Sequence, residues 1–135
     1  MNATTKLPTL FYQKTGELFY AIAAVDHRVR KEEFNGLKKS LNTYWDLFEV
    51  AEQNSSLKPV DILESSFKNA FRNKKDPETC YEEFVNYKSN KPELFTISHN
   101  KAIWNTANLI ANSFSGANKT EVIFLQKLKM ALLGT

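Results

Sequence analysis

The chain has 135 residues, 42% of them hydrophobic and 24% charged, with a net charge of +3 from 18 basic and 15 acidic residues. That length suits one domain, residues 1–135, with a core large enough to need no staples, and four Gly and four Pro are too few for a disordered or linker-rich chain. The two signs of charge are interspersed, without the dense basic stripe of a nucleic-acid binder, and the lone cysteine, Cys80, rules out an internal disulfide framework.

No apolar run approaches the ~20 residues that span a bilayer. Lys14 and Glu17 stand where a signal peptide would be apolar. The expectation is a soluble, cytoplasmic protein with no membrane insertion and no nucleic-acid partner.

In chain order, Pro8 suits the first turn of a helix. Phe11, Thr15, Leu18, Phe19, Ile22 and Ala23 then recur at three and four, one face of a helix ending near His27. Asp26 follows the apolar run, and Glu32 and Glu33 open a second helix from about Arg30. Its stripe, Phe34, Leu37, Leu41, Tyr44, Phe48 and Ala51, can carry one helix to Glu52, or two if the weak formers Asn42 and Thr43 break it. Pro59 starts a third helix on Leu63, Phe67, Ala70 and Phe71. Asp76-Pro77-Glu78 starts a fourth with a cap, a proline and a first-turn acid, continued by Tyr81, Phe84 and Val85.

Asn90-Lys91-Pro92 closes that helix, and Leu94 and Phe95 form a short turn. A fifth helix from about Ser98 carries Ile103, Trp104, Ala107, Ile110, Ala111 and Phe114 until Ser115-Gly116-Ala117 breaks it. Asn118 with Glu121 resembles a capping box for a sixth helix on Val122, Phe124, Leu125, Leu128, Ala131 and Leu132. No window alternates at period two, so no sheet is expected.

A single offset superposes Ile22-Ala23 on Ile110-Ala111, Glu33 on Glu121, Phe34 on Val122, Leu37 on Leu125 and Lys39 on Lys127. Both copies read as apolar helix, short turn, acidic-start helix. The expected fold is all-α: a compact domain of about six helices built on two facing helical hairpins, bridged by the third and fourth helices.

In this pattern the chain resembles the tellurite-resistance TerB family and the related N-terminal domain of a DnaJ-like co-chaperone. The family pattern is an alanine-rich helix ending in Ala-x-Asp-Gly or Ala-Asp-Gly, a hydrophobic residue three positions after the Asp, and a Glu seven after it. Ala24, Asp26, Val29 and Glu33 sit at those places, His27 replaces the Gly, and Phe114 occupies the place of the Asp in the second copy. The resemblance implies an all-α domain, an acidic site proposed to bind metal, and a role in stress response or partner binding rather than catalysis.

Asp26, His27 and Glu33, with Glu32, form the sharpest cluster. Oxygen ligands on a turn suit a hard divalent cation, and His27 opens the way to a softer one. The alternative is local: Asp26 caps the second helix, Glu32 and Glu33 complement its dipole, and Arg28, Arg30 and Lys31 neutralise the site. Trp45 lies off the stripe of its helix, so a partly exposed Trp45, together with Glu32, is the expected surface for an unknown protein partner.

Other candidates have plainer readings. His99 reads as a surface or capping residue, and Cys80 as packing beside Phe84 rather than as a thiolate lowered by its helix N-terminus. The run Lys68, Arg72, Lys74 and Lys75, with Phe67 and Phe71 at core spacing, reads as a basic helix end more than a phosphate strip. No Ser-His-Asp, Cys-His or glycine-rich phosphate constellation is present.

Overall fold

A computed structural model describes residues 6–25, 29, 31–46, 48–52, 57–112 and 119–133, apart from the side chains of Glu33 and Leu133. The described residues form six α-helices: α1 (Thr9–Ala24), α2 (Lys31–Tyr44), α3 (Pro59–Arg72), α4 (Pro77–Asn90), α5 (Ile97–Ala111) and α6 (Lys119–Leu133). A 3-10 turn at Pro92–Leu94 joins α4 to α5.

The helix starts follow their local chemistry. Asp76 accepts from the Thr79 amide at 2.9 Å and caps α4. Thr96 accepts from the His99 amide at 3.3 Å and caps α5. Pro8 offers α1 no side-chain cap. There a distant carboxylate substitutes: Glu52 Oε1 accepts from both the Thr9 amide and the Thr9 hydroxyl, each at 2.9 Å.

That arrangement depends on a feature absent from the periodicity. α2 stops at Tyr44, and the chain turns into a two-residue strand β2 (Glu49–Val50), which pairs in parallel with β1 (Lys6–Leu7) in the register Lys6 to Glu49 and Leu7 to Val50. Tyr12 Oη adds a 2.7 Å bond to the Glu49 carbonyl. The end of the stripe, Phe48 and Ala51, therefore is not helical. Neither one helix to Glu52 nor two helices broken at Asn42 and Thr43 is found: α2 runs through both residues to Tyr44 and a strand follows, so the expectation of no sheet is also corrected, by this short ladder.

α1 is buried on most sides. Its expected face (Phe11, Thr15, Leu18, Phe19, Ile22 and Ala23) is inside, and so are Tyr12, Tyr20 and Ala21, as for any helix that is apolar nearly all round. Its broadest packing is against α3 and then α4; α2 lies mainly on α5, and α6 also packs on α5. Ile22, Ala23, Ile110 and Ala111, the matched positions of the internal repeat, belong to one apolar core. Helices α3 and α4 thus flank a central α1. No described helix is long and apolar enough to cross a membrane.

Candidate functional site

Of the residues expected to hold a cation, Asp26 and His27 lie outside the described residues, as does the Glu33 side chain. Among the described residues, no group of three or more His, Cys, Asp or Glu side chains converges to hold an ion. Phe114 and Asn118 also lie outside them. Glu121, the repeat partner of Glu33, is buried in the first turn of α6.

Trp45 corrects the expected partner surface, because it is 0% exposed. The Trp45 amide still donates to the Leu41 carbonyl at 3.2 Å, and a residue four after Leu41 lies about 40° from it round the helix, so the indole falls on the buried side with Leu37 and Leu41. It packs edge-on against Tyr12, Phe19 and Phe48. Its N–H donates to Thr106 Oγ1 at 2.9 Å, and Thr106 in turn donates to the Ala102 carbonyl. A buried indole needs such a partner. Glu32 is exposed as expected and borders a shallow hollow of about 300 Å³ with Asn35, Gly36, Lys39 and Leu109.

His99 is likewise in the core, 1% exposed, with Nδ1 2.6 Å from the Leu94 carbonyl and its ring against Phe11 and Phe48. Cys80 is buried, and burial pushes its thiol up to about 11. A thiol that holds its proton at neutral pH is a poor nucleophile, so the packing role is the one the geometry favours.

The surface aromatic is elsewhere. Phe71 is 54% exposed at the end of α3, although the sequence placed it on the core face with Phe67. The helical step explains this: position 71 sits about 80° round the helix from Leu63, against about 40° for Phe67. Leu63, Phe67 and Ala70 are covered, and Phe71 falls at the edge of the stripe.

Phe71 stands between two hollows. One, of about 320 Å³, is walled by Val29, Phe34, Phe67 and Phe71, with Lys31 and Lys68 at its rim. Its aromatic floor is fixed by a tilted Phe34–Phe67 contact at 5.8 Å and an edge-on Tyr20–Phe67 contact at 6.1 Å. Lys38 and Lys68 lie over the Phe34 ring at 5.8 and 5.3 Å, a cation–π arrangement. The second hollow, of about 750 Å³, shares Val29 and Phe71 and continues to Arg72, Lys74 and Lys75.

The corner between α3 and α4 is docked on α1, so these walls are held in place. The Lys75 carbonyl accepts from Tyr20 Oη at 2.8 Å, and Lys75 Nζ pairs with Glu17 at 2.9 Å. That bond to Glu17 raises the Lys75 pKa. The sequence marked the basic run and both phenylalanines but not their division into a buried and an exposed ring.

Compared with protein-family models, with curated proteins and with solved structures, the chain finds no significant match.

Proposed function

We propose that this chain is a protein-interaction domain of the TerB-like kind rather than an enzyme, and that it binds its partner through the face around Phe71. The observation that carries the reading is a large aromatic ring, half in solvent, set beside an apolar-walled hollow. A concave, apolar-walled hollow with a few polar groups at its rim is the usual form of a binding site. The stress-linked role comes from the resemblance at Ala24, Asp26, Val29 and Glu33.

Capture from native lysate on the tagged chain tests the reading. Phe71→Ala should lose the proteins recovered by the wild type, whereas Ile97→Ala, at a still more exposed residue outside both hollows, should keep them. Both variants should keep a cooperative melt, with Phe71→Ala lowered only slightly, because about half of that ring is already in solvent. Equal recovery by Phe71→Ala and the wild type would remove this surface from consideration.

The cation reading of Asp26, His27 and Glu33 has its own assay, calorimetric titration with Ca²⁺, Mg²⁺ and Zn²⁺. A saturable heat abolished in Asp26→Asn would establish it, and no heat at excess metal would end it.

A further inference from the structure

We propose that the two hollows flanking Phe71 together seat an acidic, amphipathic helical segment of a partner protein. Its apolar side chains would enter the Phe34–Phe67 hollow and its carboxylates would lie over Arg72 and Lys74. The inference rests on the interaction-domain reading and adds the chemistry of the partner.

Charge selects the occupant. Among the described residues, the charged ones lining the two hollows are Lys31, Lys68, Arg72, Lys74 and Lys75, with Asp76 the single acid. Three of the six are already engaged: Asp76 caps the Thr79 amide, Lys75 pairs with Glu17, and Lys68 pairs with Glu64 at 3.1 Å. Lys31, Arg72 and Lys74 make no ion pair among the described residues. The cationic excess is local, because the whole chain carries only +3. Complementary potentials of this kind set partner choice and speed encounter.

Shape narrows the class further. The first hollow is concave and apolar, with room for a large side chain, and the basic residues lie to one side of it across Phe71. An amphipathic helix matches that layout, with anchors on one stripe and acids beside them. An anionic membrane would present a flat surface, which leaves a concave apolar hollow unfilled.

The test uses the full chain and a fluorescein-labelled helical peptide with leucines at alternating third and fourth positions and glutamates between them. Comparison peptides carry Gln for every Glu, Ser for every Leu, or Lys for every Glu; vesicles of phosphatidylcholine with phosphatidylserine form a separate arm. Fluorescence anisotropy should show saturable, salt-sensitive binding of the acidic peptide, at least ten-fold weaker for the Gln and Ser peptides. Phe71→Ala should weaken it at least ten-fold. The double change Arg72→Glu with Lys74→Glu should do the same while gaining affinity for the Lys peptide.

Equal binding of the Gln peptide, binding unchanged by these substitutions, or binding to vesicles in place of peptide would each overturn the proposal. If the acidic peptide fails while Phe71→Ala still strips partners from lysate, the acidic-segment inference falls and the interaction-domain reading stands.

Discussion

Lys74 is the described non-glycine residue with a positive φ, at 50°. It ends α3 in a paired cap: its own N–H donates to the Phe71 carbonyl at 3.2 Å, and the Lys75 N–H donates to the Ala70 carbonyl at 3.1 Å, the Schellman pattern that glycine usually supplies. A side chain in the left-handed region costs about 1–2 kcal/mol, and glycine's extra unfolded-state freedom returns about 0.5–1 of that. Lys74→Gly should therefore raise stability by about 0.5–1 kcal/mol, seen as a higher urea midpoint with an unchanged slope. A lower midpoint would show that Lys74 is not held left-handed in solution. A lysine codes for no such backbone, which is why the sequence shows a basic helix end here and not a strained turn. Asp76 is the opposite case, since a residue type that prefers the cap position stands before a proline and performs the role its type announces.

At the level of elements, α1 and α3 cross at Gly16. A Cβ placed there would lie 2.7 Å from both the Leu63 carbonyl oxygen and Ser66 Cβ, and the carbonyl belongs to helix backbone that cannot step aside cheaply. Gly16→Ala gains about 1 kcal/mol of helix propensity but forces an overpacking cost of about 1–3 kcal/mol. The expected net is a loss of up to about 2 kcal/mol, measurable as a lower melting temperature, and Gly16→Ser should lose more. A gain in stability would mean that the two helices stand further apart than described.

The helices themselves were readable because each carries an apolar face at helical spacing, longer than any noise in the pattern. The end of α2 was not, since Phe48 and Ala51 continue the stripe after the helix has stopped at Tyr44. The strands were not readable either: two residues show no alternation, and their pairing joins Leu7 to Val50 across most of two helices. The Glu52 cap on Thr9 depends on that pairing, so it was equally hidden.

For the whole molecule, burial decides which groups are titratable only at a cost. Burial is the largest cause that raises the pKa of Tyr12, Tyr20, Tyr81, Tyr87 and Cys80, and the Cys80 thiol moves from an ordinary 9.0 to about 11. Each of these groups ionises more readily unfolded than folded. The Cys80 contribution to stability is therefore complete below pH 9.0 and is lost as pH rises toward 11, whereas the loss from the tyrosines begins only near their ordinary 10.0. At about 1.4 kcal/mol per unit, Cys80 accounts for at most about 2–3 kcal/mol of that alkaline loss. Thermal melts followed by circular dichroism from pH 8 to 11 should show a melting temperature that falls with pH. Cys80→Ala should start lower because of the space it leaves in the core, yet descend less steeply. Parallel slopes for the two proteins would mean that the thiol ionises inside the folded molecule, and that Cys80 is more open to solvent than a residue 1% exposed can be.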